Sequence, residues 1–348
     1  MSAFGIETAV RLWRAGRLPA LAGLEVEPAH GHVAVLVYRD GARRVIRDGD
    51  LGCNPSAGAA LARDKDFTKF ALGRAGLAGL PGFSFALPNW RRHTGQGQAS
   101  LAEIRQQVED RIAALGWAFP LYVKPNDGSQ GLDVQRCRSR ADLVAAVERL
   151  ERHQVQLGLV EPAWDWPVHR LVVLDGAVVC AYQTVPLTVT GDGRSDLRRL
   201  IERARSQLER QGRTVRIDLD DPRIPATLAD QGLDLDAVLA PGRPVRVRDS
   251  SNLSAGGTAV DWTGRADPSW LDLAARAAAA LGLRWCGVDL LCPDLSQPGP
   301  GRILELNAAP GLEHYANLGP AQRQLVEGAY EQILGCSPGP LVQGQRFE

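Results

Sequence analysis

The chain has 348 residues, with 40 basic and 40 acidic side chains and therefore a formal charge of zero. Because a general nucleic-acid binder needs a net basic field, this balance argues against a nucleic-acid partner. Apolar residues make up 45% of the chain and charged residues 23%, the proportions of an ordinary globular protein, and the length suits two or three packed subdomains.

The cysteines and the N-terminal segment bear on where the protein works. The six cysteines are scattered, without a Cys-x-x-Cys pair or a paired histidine spacing, which argues against a zinc site or a disulfide framework. Residues 1–8 lack the basic-then-apolar pattern of a signal peptide, and no apolar run approaches the length of a membrane span. We therefore expect a cytoplasmic protein with no membrane partner.

The first third of the chain carries little recognisable chemistry. Residues 1–50 predict a small N-terminal subdomain, and residues 51–118 predict linker helices and a loop. The linker has Lys65 at a predicted helix boundary and a polar stretch over residues 88–98 that is typical of an exposed loop. Taken alone, Lys65 is most simply a surface lysine.

Residues 119–162 begin with a hairpin of the kind that closes over phosphates. A strand ends in Lys124, the glycine-containing loop Gly128–Gly131 follows, and residues 132–135 predict a second strand. Backbone N–H groups of such a loop can approach an anion, and the lysine supplies a point charge. The pattern is not a Walker loop, since Gly-Lys-Ser/Thr is absent, and a glycine-rich hairpin by itself is weak evidence for phosphate.

Two polar features follow in the next segment. Arg170 opens a predicted hairpin, and residues 246–258 combine two arginines, Asn252, several serines and a Gly-Gly pair, which suits an anion or a carboxylate. The simpler alternatives are an edge-strand arginine and a surface loop of turn residues. Between these features, Ser195 is expected to cap a helix, and residues 213–245 are interpreted as an irregular insertion.

Two apolar runs near the C-terminal end predict strands that carry metal ligands. Within residues 303–311, apolar side chains alternate with Glu305 and Asn307 from Leu304 onward, and Asp289 lies in another apolar run. If the two runs pair, the three polar side chains converge. Their oxygen atoms suit magnesium, which completes its shell with waters and substrate phosphates, whereas the alternative is a set of solvated strand residues.

The order of these signals resembles the ATP-grasp carboxylate–amine ligases. The segments most similar to the ATP-grasp module of cyanophycin synthetase and of bifunctional glutathione synthetases are Ala62–Lys65, Gly191–Ser195, Asn252–Asp261 and Glu305–Leu312. The resemblance implies an α+β fold, the ATP-grasp fold, in which two α+β subdomains clamp ATP beside a small reduced N-terminal subdomain. The implied boundaries are 119–162 for the small (flap) subdomain, 163–336 for the large subdomain with the metal site, and 337–348 for a tail.

The resemblance also implies a role for each matching residue. Catalysis would involve Lys124, Arg170 and Arg248, and ATP would be bound by Lys65, Lys124, Gly128, Ser129, Gln130, Gly131, Glu161, Pro162, Ala163 and Val168. Val168 stands where relatives place the acid that contacts the ribose. Substrates would contact Arg248, Asn252, Ser254, Gly256 and Gly257, with Arg248 and the backbone of the two glycines donating to an oxyanion. Two magnesium ions, or manganese in their place, would be held by Asp289, Glu305 and Asn307.

The implied reaction joins an amino-acid or peptide carboxylate to an amine through an acyl phosphate, releasing ADP and phosphate. Two alternatives stay open, a phosphotransferase that acts on a hydroxyl group and a non-catalytic ATP-binding module. The expected partners are small-molecule substrates, either amino acids or peptides. Their identity and any assembly of identical chains are left open.

Overall fold

The computed structural model of the protein describes residues 4–95, 97, 99–128, 131–213 and 215–339. Its N-terminal part is one amphipathic helix and a three-stranded antiparallel sheet in the order β1-β2-β3. These elements are α1 (Phe4–Arg14), β1 (Leu21–Val26), β2 (Val33–Tyr38) and β3 (Arg43–Arg47).

A four-stranded antiparallel sheet with the order β4-β7-β5-β6 forms the second body. This part of the chain contains α2 (Ser56–Arg63), α3 (Lys65–Arg74), β4 (Phe83–Ala86), α4 (Pro88–Thr94), α5 (Leu101–Ala114), β5 (Leu121–Pro125), β6 (Gln135–Cys137), α6 (Arg140–Arg152) and β7 (Leu157–Pro162). Its core is formed by apolar residues of the sheet, α5 and α6. We call this body the flap subdomain.

Three local expectations are corrected in this region. The stretch 88–98, expected to be a loop, contains helix α4, which has a proline in its first turn and a left-handed Gly95 at its C-cap. The second strand of the hairpin, expected over 132–135, begins at Gln135. The predicted boundary at residue 119 leaves out β4 and α5, although β4 pairs with β7 and α5 packs into the same core.

The large subdomain is built on a five-stranded antiparallel sheet with the order β12-β9-β8-β13-β14. Its elements are β8 (Val168–Leu174), β9 (Ala177–Val185), β10 (Thr188–Thr190), α7 (Leu197–Arg210), α8 (Arg223–Ala229), β11 (Pro244–Arg246), a 3-10 turn (Leu253–Ala255), β12 (Thr258–Asp261), α9 (Pro268–Ala280), β13 (Trp285–Leu291), β14 (Arg302–Asn307), α10 (Glu313–Ala316) and α11 (Pro320–Gly335). β10 pairs with β11 in a separate two-stranded ribbon.

Both faces of the five-stranded sheet are covered. One face packs against α1, the N-terminal sheet and α11, and the other packs against α3 and α9. Every residue of β13 is buried, as expected for a strand with neighbours on both sides and helices above and below. No helix within the described residues is both long and apolar enough to cross a membrane.

Two further sequence expectations change in the large subdomain. The N-cap of α7 is Asp196, whose carboxylate accepts from the Arg199 amide at 2.8 Å, while the Ser195 hydroxyl donates to Asp192. In β14 the register shifts near Leu304, so Ile303 and Leu306 are the buried residues instead of a strict alternation from Leu304. A β-bulge of this kind inserts one residue and re-aims the side chains beyond it.

The insertion has more order than expected. It contributes α8 and β11, and together with α7 it encloses its own apolar core. That core is separate from the one that supports the five-stranded sheet.

Candidate active site

Two carboxylates and an amide converge where β13 and β14 pair. Asp289 lies directly opposite Glu305 in the antiparallel register, which confirms the predicted pairing of the two apolar runs. Asn307 follows on the same strand, and its Nδ2 lies 3.3 Å from Asp289 Oδ2 and 3.2 Å from Glu305 Oε1. The bulge at Leu304 leaves this part of the ladder in register, so the three polar side chains share one face.

Arg170 on β8 is the neighbour of Asp289 on the other side of β13. Its Nε and Nη2 donate to Asp289 Oδ1 and Oδ2 at 2.7 and 2.6 Å, a bidentate pair. Gly287 makes room for this arginine, since a Cβ there would lie 3.1 Å from Arg170 Cδ. Burial disfavours the charged guanidinium, but the adjacent carboxylate outweighs this effect and raises the pKa of Arg170 well above its ordinary value.

The acid pair has the electrostatics of a cation site. Burial, together with the neighbouring Glu305 charge, raises the pKa of Asp289 despite the opposing effect of Arg170. Among the described residues no group of three or more His, Cys, Asp or Glu side chains is placed to hold a metal ion, so a metal here would rely on the two carboxylates and the amide. Hard oxygen donors of this type fit magnesium, and a 180° turn of the Asn307 amide would present Oδ1 to the ion.

Three lysines, two on α3 and one on β5, lie beside Glu161 and Glu305. Lys124 Nζ lies 2.5 Å from Glu161 Oε2, and Lys69 Nζ lies 2.6 Å from Glu161 Oε1. Lys65 Nζ donates to the Gly128 carbonyl at 2.7 Å and lies 3.9 Å from Glu305 Oε2, so it connects the glycine loop with the acid pair.

The charges of this lysine cluster do not cancel. Burial alone would raise the pKa of Glu161, but Lys124 and Lys69 hold it below its ordinary value, so the buried glutamate stays ionised. Burial lowers the pKa of Lys65, and the nearby Lys124 acts in the same direction. Three lysines thus lie beside two carboxylates, Glu161 and Glu305, and the remaining positive charge suits phosphates.

The other residues expected to bind ATP are distributed along the cleft. Gly131 closes the flap loop with φ of 69°, and a Cβ there would lie 2.7 Å from Asn252 Nδ2, so the loop meets the 246–258 segment. Pro162 ends β7, and the Ala163 amide already donates to the Pro120 carbonyl. Val168 begins β8 and offers no polar side chain. Ser129 and Gln130 lie outside the described residues.

The 246–258 segment is only partly arranged as expected. Arg248 is 6% exposed, its Nη2 donates to Asp221 Oδ2 at 2.5 Å, and its buried Nε has no hydrogen-bond partner within the described structure. The amides of Gly256 and Gly257 donate to the carbonyls of Leu253 and Asn252 inside the loop. The expectation that these amides are open to an oxyanion therefore does not hold in this conformation.

Serine and glycine have structural roles in that loop. The Ser254 carbonyl accepts from the Arg216 amide at 2.8 Å. Gly256 has φ of 91°, a left-handed conformation that favours glycine, and a Cβ at Gly257 would lie 2.7 Å from the Ser251 carbonyl oxygen. The loop therefore needs both glycines for its path, whatever it binds.

Comparisons with known proteins place this fold among related enzymes. Residues 90–226 match the model of the RimK-like ATP-grasp domain. The chain carries an ATP-grasp domain. It is similar to the cyanophycin synthetase of Geminocystis herdmanii, at 30% identity over 269 residues that cover 73% of this chain and 28% of the relative.

Two glutathione enzymes extend the comparison. The bifunctional protein GshAB of Streptococcus mutans is 34% identical over 221 residues, covering 58% of this chain and 28% of that protein. The crystal structure of a bifunctional glutathione synthetase from Pasteurella multocida superposes with a TM-score of 0.58 at 20% identity, covering 94% of this chain and 43% of that one. The ATP-grasp fold and the relationship to these two groups of enzymes are thereby confirmed, although the chain spans less than a third of the curated relatives it matches.

Three residues that contact the expected site residues Glu161, Gly257 and Arg248 were missed by sequence reasoning: Lys69, Arg213 and Asp221. Lys69 follows Lys65 by one helical turn on α3, and this spacing could have indicated it. Arg213 Nη2 donates to the carbonyls of Leu253 and Gly257 at 2.9 and 2.6 Å, and it makes no ion pair with any described carboxylate. Arg213 and Asp221 lie in a segment without periodicity, so no local signal identified them.

Proposed function

We propose that this ATP-grasp domain is an ATP-dependent carboxylate–amine ligase. It joins the carboxylate of an amino acid or peptide to an amine through an acyl phosphate and releases ADP and phosphate. The observation that carries the proposal is the convergence of Asp289, Glu305 and Asn307 opposite Lys65 and Lys124 beneath the glycine loop. Such a cleft has oxygen ligands for a cation on one wall and hydrogen-bond donors for phosphates on the other.

The chain's own residues supply positioning and charge. Lys124 and Lys65 hold the phosphates, and Arg170 orients Asp289 through its bidentate pair and favours the ionised form of this carboxyl group. A carboxylate that attacks the γ-phosphate brings two anions together, so the surplus of lysine charge lowers the barrier electrostatically. Asp289, Glu305 and Asn307 would hold magnesium, which would supply positive charge to offset that of the phosphates. We propose two ions, with manganese as an alternative.

The substrate side of the cleft favours anionic molecules. Arg248 has a buried Nε without a partner, and Arg213 has no neutralising carboxylate among the described residues. Buried guanidinium donors without partners are costly unless a ligand satisfies them. We therefore infer that both the donor and the amine-bearing substrate carry carboxylates, as amino acids and peptides do.

A non-catalytic ATP-binding module is the second candidate, and Val168 favours it. Without an acid at this position the ribose loses a hydrogen-bond acceptor. A module of that kind would bind ATP yet release no ADP with any substrate pair.

The test is ADP release with magnesium and ATP across single amino acids, dipeptides and their pairs, with product masses recorded. The ligase predicts ADP only when a pair is present, and a product lighter than the sum of the pair by one water. ADP with a phosphorylated product would indicate a phosphotransferase, and ATP binding without turnover would favour the non-catalytic module.

A further inference from the structure

Ion pairs join the flap subdomain to the insertion and to the 246–258 segment that follows it. Arg136 and Arg138 lie at the edge strand β6, which is two strands away from β7, the strand that leads into the large subdomain. Their partners are Asp230, just after α8, and Asp249, just after β11. We call these four residues the clasp.

The clasp is a network of contacts and not a single pair. Arg138 Nε donates to Asp230 Oδ1 at 2.5 Å, and a second nitrogen of Arg138 reaches the other oxygen of that carboxylate. Arg136 Nη1 lies 3.4 Å from Asp230 Oδ2 and 3.6 Å from Asp249 Oδ1. Networks with bidentate arginine geometry contribute more than isolated surface pairs.

Arg223 of α8 connects the insertion directly to the phosphate flap. Its Nη1 donates to the Gly131 carbonyl at 2.7 Å, at the end of the glycine loop. Its Nη2 and Nε donate to Asp221, whose Oδ2 also accepts from Arg248. A continuous chain of hydrogen bonds therefore runs from the flap through Arg223 and Asp221 to the arginine proposed to hold a substrate carboxylate.

We propose that the insertion positions the flap for the reaction, with Arg223 holding the Gly131 carbonyl and the clasp holding β6. Asp221 links the flap to Arg248, so a carboxylate bound at Arg248 reinforces the closed flap. This inference rests on the proposed ligase function, because an acyl phosphate is hydrolysed if water enters before the amine attacks. The clasp and Arg223 then determine how much amide forms for each ATP consumed.

The first test compares ADP released with amide formed, using Arg223→Gln and the double variant Asp230→Asn/Asp249→Asn. The wild type is expected to give a ratio of about one, and both variants a ratio several-fold higher with a lower kcat/KM. Arg223→Lys retains a donor for Gly131 and should restore part of the coupling. Arg203→Gln is the matched control. It removes an exposed ion pair between Arg203 on α7 and Asp192, and it should leave the ratio unchanged. A ratio of about one in Arg223→Gln and in the double variant would overturn the inference.

A second measurement does not depend on the substrates. Hydrogen exchange of the amides from residue 131 to residue 138 is followed in the full chain, at low salt and in about 1 M NaCl. We expect these amides to exchange faster in Asp230→Asn/Asp249→Asn than in the wild type. At high salt the wild-type rates should approach those of this variant. The amides of α11 should exchange at the same rate in both proteins.

The two measurements separate the failure of one proposal from the failure of the other. If no substrate pair gives amide, the ligase function fails, and hydrogen exchange alone decides whether the clasp holds the flap. If the ligase works while flap exchange and the ADP ratio match the wild type in both variants, the clasp proposal is wrong.

Discussion

At the scale of single residues, the acid pair of Asp289 and Glu305 is an unfavourable arrangement. The carboxylate of Asp289 is buried and that of Glu305 is partly exposed, and Arg170 compensates only Asp289 directly. Such an arrangement is unfavourable for the isolated fold and is typical of functional sites.

We predict that Asp289→Asn and Glu305→Gln each lower kcat/KM by roughly 10²–10³-fold, because each removes a negative ligand for the cation. The check is steady-state turnover measured over a magnesium titration. Asp272→Asn, which alters an exposed carboxylate on α9, is the control. Wild-type turnover in Glu305→Gln would contradict the assignment.

Asp221 provides a prediction about pH. Burial would raise the pKa of Asp221, but hydrogen bonds from Arg223 and the charge of Arg248 hold it at about 2, against an ordinary value of 3.8. A carboxyl group whose pKa is lowered by folding stabilises the fold at pH values above its ordinary pKa. This stabilisation is lost as the pH falls from about 4 towards 2. The shift corresponds to about 2 kcal/mol at neutral pH.

Asp221→Asn should therefore lower the free energy of unfolding by about 2 kcal/mol at pH 7, with a difference from wild type that narrows between about pH 4 and pH 2. Urea unfolding at a series of pH values measures it. A difference that stays constant down to pH 2 would show that the carboxylate charge is not the cause.

At the scale of elements, Asn54, in the segment before α2, holds together the two strands that carry Asp289 and Glu305. Its Nδ2 donates to the carbonyls of Trp285 and Ala308 at 2.7 and 2.8 Å, and its Oδ1 accepts from the amides of Arg284 and Trp285. Ala308 directly follows Asn307, so this one side chain ties the start of β13 to the end of β14.

We predict that Asn54→Ala lowers the free energy of unfolding by roughly 2–4 kcal/mol, because several part-buried backbone groups lose their partner. It should also raise the magnesium concentration needed for half-maximal activity. Asn89→Ala, on the exposed helix α4, is the control for the same substitution. Equal stability of the two variants would contradict this role of Asn54.

Elements with local signals were predictable from the sequence. The hairpin that Arg170 opens was predicted, and β8 and β9 turn at Asp175–Gly176, an Asp-Gly pair that is a strong signal for a tight turn. The acid pair was predicted because Asp289 and Glu305 lie in two apolar runs that bring them together if they pair, and the structure adds the register that sets them opposite each other. The bulge at Leu304 was not predicted, because it depends on how β14 pairs with β13 and not on local composition.

The missed features depend on contacts distant in sequence. Strand β4 joins the flap sheet by pairing with β7, more than seventy residues later in the chain, and no local pattern specifies that choice. Asp221 and Arg213 lie in an aperiodic segment whose path is set by the core of the insertion. Their hydrogen-bond partners could not be inferred before the fold was known.

At the scale of the whole molecule, the N-terminal sheet is part of the main core. Leu36 and Ile46 belong to the same apolar cluster as Trp285 and Tyr330, and the Tyr38 hydroxyl donates to the Leu334 carbonyl at 2.9 Å. The small N-terminal subdomain therefore packs on the large subdomain and shares its stability.

We predict that a chain lacking residues 1–50 is insoluble or lacks a cooperative unfolding transition, because its removal exposes one apolar face of the five-stranded sheet. Expression followed by thermal unfolding monitored by circular dichroism tests this. A shortened chain with a wild-type transition would mean that the N-terminal sheet is dispensable for folding.

The central claim is that a substrate carboxylate attacks ATP to form an acyl phosphate in this cleft. The most direct measurement uses the donor identified by the substrate panel, with oxygen-18 in its carboxylate, and follows the label into inorganic phosphate during amide formation. We predict one labelled oxygen in the phosphate for each amide formed, and loss of this transfer in Asp289→Asn. Phosphate without label, or label retained entirely in a phosphorylated product, would contradict the claim.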